Sequence, residues 1–517
     1  MKQTIRKNWR SIFSKSFLLI LIFSMWSCKK DIIEVDEMSN EIIEKISKNE
    51  IDFNKFGKQL QNPYSLENMK RSIKKVLGEH NKFSKNLKAS HYYIRFNIKT
   101  EKELSVLKQD SLLNLYDYPL DYDFENSIDL LNIKDIGEKF SAVKFNYKFP
   151  KNIDYDILDD LYIPEETNDF SNEISNKIVD EALKITNNID EEISGRSRWN
   201  PKGKIEVWDD YYQSFKPVEG VKVKARRWFT THSGITDSEG KYFCSSFRRP
   251  ANYSIDWEKY NFKIRDSWLH GAKYNGPKRR GDWNLQLRGD KHAYYATIFK
   301  AAYYYYYKNI FGTQRPPQNS WFHTQLKIRA DLEDDPNYLG ICHVGHRFLG
   351  LGNHIKIRCY SFIENRSLSH YVYSTVIHEL AHTAHWKLDR NNYNNAFVNL
   401  NTRAAGLPET WARGIEVKFT REIYPHYAID YSRNDYTGIV EDLLDGTKFV
   451  RSIYYDKYGA TLYKDYSDLV VGYDLKTLEN ALVGCRKFKE WELKIVYNYE
   501  NSTENHVKEV FRYWTNK

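Results

Sequence analysis

Alternating apolar and polar positions dominate the first part of the chain. Residues His91–Ile98 alternate as a half-buried strand does, and Thr100 with Glu103 forms a capping box that predicts the start of a helix. Two more strands are predicted at 112–118 and 142–149. With a charged helical linker at its end, this pattern predicts a small α+β domain over residues 61–195.

Four further alternating runs lie between turn-forming clusters in residues 200–268. They are Lys204–Trp208, Val221–Ala225, Lys241–Cys244 and Tyr253–Trp257. The segments PVEGVKVKA and TDSEGKYF in this region resemble the carboxypeptidase regulatory-like family. The resemblance implies a rigid β-sandwich that serves as an accessory domain and carries no catalytic residues.

The remaining residues, 285–517, follow a mainly helical pattern. An aromatic-rich helix is predicted over 292–311, strands over 326–330 and 354–360, and a strongly apolar helix over Tyr371–Lys387. The sequence therefore predicts a multidomain α+β protein that ends in a mainly helical domain.

The first 27 residues have the composition of an export signal. A basic stretch precedes a run of mostly apolar residues, Phe17–Trp26, which is too short to cross a bilayer as a helix but suits a secretory signal peptide. Cys28 follows closely and resembles a bacterial lipobox cysteine, whose thiol is acylated. The charged residues after it, over 28–60, resemble the tether of exported lipoproteins. The resemblance implies a protein anchored in the outer membrane and exposed at the cell surface.

Charge and cysteine content narrow the possible functions. The formal net charge is +9, but the first 27 residues hold five basic residues and no acid. The rest of the chain is therefore close to neutral for its size, and without a basic stripe we expect no nucleic-acid binding. The four cysteines after Cys28 are too few for a disulfide framework. If the exported protein forms one disulfide bridge, Cys342 and Cys359 are the expected pair.

The predicted helix Tyr371–Lys387 contains the motif His-Glu-x-x-His. His378 and His382 lie about 40° apart around the helix axis and one turn along it, so both imidazoles can reach one metal ion. Glu379 lies about 100° from His378, where it can act on a water without binding the ion. This spacing is typical of zinc metallopeptidases and predicts a Zn²⁺ site with Glu379 as the catalytic base.

A catalytic zinc ion needs a third protein ligand. The metzincin pattern fails because position 388 is Leu, and His385 lies a turn beyond the histidine pair. The segment ETWARGIEVKF, which follows Pro408 and opens with Glu409, resembles the third-ligand helix of the gluzincin family. The resemblance implies that Glu409 is the third ligand, with Glu416 of the same segment as the alternative.

The gluzincin resemblance also implies hydrolysis of peptide bonds in peptide or protein substrates. Glu379 would take the proton of the attacking water and pass it to the leaving amine. The donor for the oxyanion stays open among Arg413, Tyr424, His426, Tyr427 and Tyr431. Asp442 and Asp445 are either partners of a ligating imidazole or, as we expect, surface acids.

Two other functions fit the same residues. A zincin fold can serve as a scaffold in a binding or adhesion lipoprotein, and the same chemistry suits a zinc amidase acting on cell-wall or glycan material. The segment 87–150 resembles small inhibitory prodomains. No cleavage motif follows it, however, so we expect a permanent spacer.

We predict that Cys28→Ser releases a soluble and still folded protein, because the acylated thiol is the expected membrane anchor. Metabolic labelling with a fatty acid and fractionation of the cells measure the change. Unchanged labelling in the variant would refute lipidation at this residue.

Overall fold

The computed structural model describes residues 58–122, 137–189, 197–266, 270–320, 324–332, 340–342, 354–359, 368–393, 406–427, 429, 437–444, 452–456, 459–463 and 468–516. The chain is a mixed α+β protein with two compact units. The N-terminal unit comprises Phe53–Lys308 and Pro317–Val376, and the C-terminal unit comprises Asn309–Pro316 and Ile377–Lys517. Cys28 and the predicted signal peptide lie outside the described residues. None of the described helices is long and apolar enough to span a membrane.

The N-terminal unit begins with a three-stranded antiparallel sheet and its helices, here called the α+β module. Its elements are α1 (Leu66–Leu77), α2 (Lys82–Lys85), β1 (His91–Asn97), α3 (Glu101–Gln109), β2 (Glu138–Lys144), β3 (Asp154–Leu161) and α4 (Asn172–Ile185). β1 lies between β2 and β3. The predictions of β1 and of a helix capped by Thr100 are confirmed, since the Thr100 hydroxyl accepts the N–H of Glu103 at 3.2 Å.

The strand predicted at 112–118 is not formed in this fully described segment. Leu113 packs into one hydrophobic core of the module and Tyr116 into another, so the segment connects two cores instead of alternating along one sheet face. Tyr116 pairs with Phe140 through an isolated bridge.

Two mainly antiparallel sheets follow, here called the sandwich segment. Their strands are β4 (Lys202–Asp209), β5 (Ser214–Pro217), β6 (Lys222–Arg227), β7 (Thr230–Ile235), β8 (Lys241–Phe243), β9 (Ala251–Asp256), β11 (Lys273–Arg279) and β12 (Leu285–Leu287), and the strand β10 (Phe262–Arg265) of the same region belongs to another sheet. One sheet has the order β11-β9-β6-β7, and the other has the order β12-β4-β5 with β8 also paired to β4. The four predicted strands are confirmed as β4, β6, β8 and β9, and the sheets continue past residue 268 to Leu287.

β10 instead joins a sheet with later parts of the chain. The elements after β12 are α5 (Lys291–Tyr307), β13 (Leu326–Asp331), β14 (Gly340–Cys342) and β15 (Ile355–Arg358). β10 pairs in parallel with β13, which pairs in parallel with β15. This long-range pairing places these elements in the N-terminal unit, so the region predicted as one domain over 285–517 is divided between the two units.

The expected disulfide between Cys342 and Cys359 is not present. Cys359 is a free, buried cysteine, and its sulfur lies 3.7 Å from the carbonyl oxygen of Ile357. The backbone register between β14 and β15 places Cys342 opposite Ile355.

The C-terminal unit is mainly helical. Its elements are α6 (Ser369–Leu388, of which Ser369–Val376 belongs to the N-terminal unit), α7 (Leu407–Arg421), α8 (Ile439–Leu444), β16 (Ser452–Asp456), β17 (Gly459–Tyr463), α9 (Leu475–Leu482), α10 (Phe488–Asn498) and α11 (Val507–Thr515). The ring of Trp411 in α7 packs edge-on against Trp491, which packs against Phe511. These aromatic contacts connect the helix that carries Glu409 to the C-terminal helices.

Asp442 is not the surface acid that the sequence led us to expect. It is fully buried, and one carboxylate oxygen accepts the indole N–H of Trp514 at 2.8 Å. Asp445 lies outside the described residues.

The α+β module and the sandwich segment share a hydrophobic core. Phe229, just before β7, packs its ring 5.0 Å from that of Tyr93 and 6.1 Å from that of Tyr64, both in the module. Arg248 of the sandwich segment pairs with Asp180 of α4. Removing the module would expose this core, which supports a permanent structural role rather than that of a detachable prodomain.

We predict that Phe229→Ala lowers the free energy of unfolding by about 3 kcal/mol, because a 7% exposed aromatic ring is lost from the shared core. Chemical denaturation measures the change. Phe243→Ala is the matched control, since this ring is 62% exposed and its loss should cost under about 0.5 kcal/mol. Equal effects of the two substitutions would contradict the shared core.

Candidate metal centre

The two histidines of the motif lie on α6, and their imidazoles face each other. Val376, Ile377 and Leu380 are fully buried and fix the helix in its surroundings. The Nε2 atoms of His378 and His382 are 3.1 Å apart, and both side chains are buried. The predicted helix and the predicted convergence of the pair are both present.

Glu409 approaches the histidine pair from α7. The helix begins with Pro408 near its first position, where the missing N–H costs no hydrogen bond, and Glu409 lies in the first turn. One carboxylate oxygen is 3.2 Å from Nε2 of His378, and the other is 3.3 Å from Nε2 of His382. The Glu409 side chain keeps 26% of its surface exposed, so this side of the group is open to solvent.

The three side chains lie close enough to share one metal ion, since one ligand atom from each lies within 4.8 Å of the others. Ligand atoms about 2.0–2.1 Å from zinc at tetrahedral angles lie about 3.3–3.4 Å apart. The closest contacts among the three side chains are 3.1, 3.2 and 3.3 Å. His378, His382 and Glu409 also form the one group of potential metal ligands found among the described residues. The donor set of two imidazoles and one carboxylate leaves a position for water, as catalytic zinc sites require.

Glu416 occupies a different place from the one considered in the sequence analysis. Its carboxylate is buried and lies 2.9 Å from Nδ1 of His378, on the side of the ring away from Glu409. A ligating imidazole commonly donates its second N–H to such a carboxylate, which fixes the tautomer and the orientation of the ring. Glu416 follows Glu409 by two helical turns, so both glutamates lie on one face of α7. This spacing does not show which imidazole nitrogen each carboxylate contacts.

Glu416 also holds two of the residues considered as oxyanion donors. Arg413 donates to its Oε2 at 2.6 Å, and the Tyr427 hydroxyl donates to its Oε1 at 2.5 Å. Of the other candidates, Tyr424 is fully buried and His426 is exposed, whereas Tyr431 lies outside the described residues. The structure thus assigns no oxyanion donor.

Glu379 differs from the other two glutamates of the group. It is 5% exposed, and its carboxylate makes no hydrogen bond within the described part of the chain. Burial raises the pKa of Glu379 above its ordinary value, and the nearby Glu409 and Glu416 raise it further. Burial also acts to raise the pKa of Glu409, but His382 and His378 hold it well below its usual range. Glu379 is therefore the glutamate whose carboxylate is free to exchange a proton.

His385 lies outside the ligand group. It is buried, its ring packs 5.1 Å from that of Tyr393, and its Nδ1 has no hydrogen-bond partner among the described residues. Burial lowers the pKa of His385 to about 3, so the ring is neutral at physiological pH. His385 is thus a buried neighbour of Tyr393 and is not part of the group formed by His378, His382 and Glu409.

No protein-family model, curated protein or solved structure matches this chain. The resemblance to zinc metallopeptidases therefore depends on the motif residues themselves and on their geometry.

We predict that the purified protein binds one zinc ion and that Glu409→Ala weakens zinc binding by about 100-fold or more, because one of three ligands is lost. Metal analysis and chelator competition measure the effect. Glu422→Ala is the control, since this exposed glutamate near the end of the same helix pairs with Lys418. Full zinc occupancy in Glu409→Ala would show that Glu409 is not a ligand.

Proposed function

We propose that this protein is an exported, zinc-dependent metallopeptidase of the gluzincin type. The observation that carries the proposal is the convergence of His378, His382 and Glu409, whose closest contacts are 3.1–3.3 Å. Within the described part of the chain, the carboxylate of the neighbouring Glu379 makes no hydrogen bond. The ligand types and their spacing in the motif support a catalytic zinc site, and Glu379 is the residue of that motif proposed as the base.

Each residue has a distinct role in the proposed hydrolysis. His378, His382 and Glu409 would hold the ion, which supplies a Lewis acid for the water and the substrate carbonyl. Glu379 accepts the proton of the attacking water on its carboxylate and then gives that proton to the nitrogen of the departing amine.

The two rival functions differ in what they require of Glu379 and of the substrate. A non-catalytic adhesion protein does not need a carboxylate that can accept a proton. The carboxylate of Glu379, which makes no hydrogen bond in the described part of the chain, therefore favours an enzyme. A zinc amidase acting on cell-surface material would use the same residues, so only the substrate separates it from a peptidase.

The N-terminal residues and the sandwich segment are consistent with an enzyme anchored at the cell surface. We propose that Cys28 is acylated and anchors the protein in the outer membrane, with the catalytic residues facing the outside of the cell. The sandwich segment is proposed to be an accessory domain of the carboxypeptidase regulatory-like type.

We predict that Glu379→Ala keeps zinc but lowers kcat/KM on peptides by about 100-fold or more, because the residue moves protons and is not a ligand. Zinc analysis together with a casein assay and an assay on cell-wall amides measures both properties, and Glu422→Ala again serves as the control. Near-normal hydrolysis by a zinc-loaded Glu379→Ala protein would remove the mechanism. Hydrolysis of cell-wall amides alone would favour the amidase.

A further inference from the structure

Both oxygens of the Glu416 carboxylate make hydrogen bonds, although the side chain is buried. It is 2% exposed. Its Oε2 lies within hydrogen-bond distance of Nδ1 of His378 and accepts a hydrogen bond from the guanidinium of Arg413. Its Oε1 accepts a hydrogen bond from the hydroxyl of Tyr427. Both oxygens are therefore fixed, and the carboxylate cannot rotate without losing a contact.

A buried carboxylate needs such partners to stay ionised. Transfer of a charge out of water is costly unless the charge is paired and hydrogen-bonded. Without Arg413 and Tyr427, only the imidazole of His378 would compensate this charge among the contacts described.

The positions of Arg413 and Tyr427 are set by the surrounding chain. Arg413 precedes Glu416 by three residues on α7, and both therefore lie on the same helix face. Tyr427 follows the helix in a turn, where its N–H donates to the carbonyl of Tyr424 at 2.9 Å. Its own carbonyl accepts Nε of Arg421 at 2.9 Å. Both partners thus reach Glu416 from fixed backbone positions.

We propose that Arg413 and Tyr427 are positioning residues of the metal centre. They hold the Glu416 carboxylate on Nδ1 of His378, which keeps the proton of that ring on Nδ1 and directs an unprotonated Nε2 at the ion. This inference rests on the proposed function, since it requires a metal ion at His378. It also takes both residues out of the set of oxyanion donors.

The test is a set of zinc dissociation constants from chelator competition. Tyr427→Phe and Arg413→Met are each measured with Glu416 present and in a Glu416→Ala background. We expect each single substitution to weaken zinc binding by about 10-fold and Glu416→Ala by about 10–100-fold. In the Glu416→Ala background, the two substitutions should have no further effect, because their action passes through the missing carboxylate.

Two variants control for packing and charge. Tyr473→Phe removes a buried hydroxyl that has no hydrogen-bond partner in the described part of the chain, so its zinc affinity should equal that of the wild type. Arg413→Lys keeps the positive charge and should restore part of the affinity lost in Arg413→Met. Circular dichroism establishes that each variant is folded.

Several outcomes would overturn the proposal. Unchanged zinc affinity in folded Tyr427→Phe and Arg413→Met overturns it, as does an equal loss with and without the Glu416 carboxylate, which would indicate general packing. If the wild-type protein binds no zinc, the proposed function fails and this inference fails with it. Zinc binding by the wild type with no effect of the substitutions rejects the positioning role alone.

Discussion

The structure of the C-terminal unit depends on compensation of charge around one imidazole, that of His378. Carboxylates approach both of its nitrogens, Glu416 at Nδ1 and Glu409 at Nε2. Arg413 offsets one of the two negative charges. Burial acts to lower the pKa of His378, but its hydrogen bonds to Glu409 and Glu416 raise it to about 9, so a protonated imidazole offsets the other. Charges in such a poorly solvated place are stable only when they are paired and hydrogen-bonded. In the proposed metal site, a divalent ion at the open side of His378, His382 and Glu409 would take the place of that proton.

Helix packing makes this arrangement possible. Glu409, Arg413 and Glu416 follow each other at about one-turn intervals and share a face of α7. On another side of the helix, α8 comes so close that a Cβ on Gly414 would lie 2.3 Å from Val440, and only glycine allows this approach. The close contact fixes the rotation of α7 about its axis. The same rotation directs all three charged residues toward α6.

Features that depend on local spacing could be predicted from the sequence. Helical periodicity predicts the helix α6 and places His378 and His382 on one face of it. Pro408, just before Glu409, predicts that Glu409 lies at the start of α7. The partner of Glu416 could not be predicted, because the choice between the two nitrogens of His378 depends on how two helices pack. Two other features also join residues that are far apart in the chain, and no local pattern predicts either of them. They are the burial of Asp442 against Trp514 and the parallel pairing of β10 with β13.

Three glutamates of this region have different proton affinities although their side chains are chemically identical. Glu409 and Glu416 stay ionised because imidazoles and Arg413 compensate their charges, which suits a ligand and a hydrogen-bond acceptor. Glu379 follows His378 on α6 and is buried without a hydrogen bond in the described part of the chain, and burial raises its pKa. Environments that separate the pKa values of neighbouring acids are the physical basis on which one acts as a base while others bind. Local solvation and pairing, more than residue type, therefore distinguish Glu379, the proposed base, from Glu409, the proposed ligand.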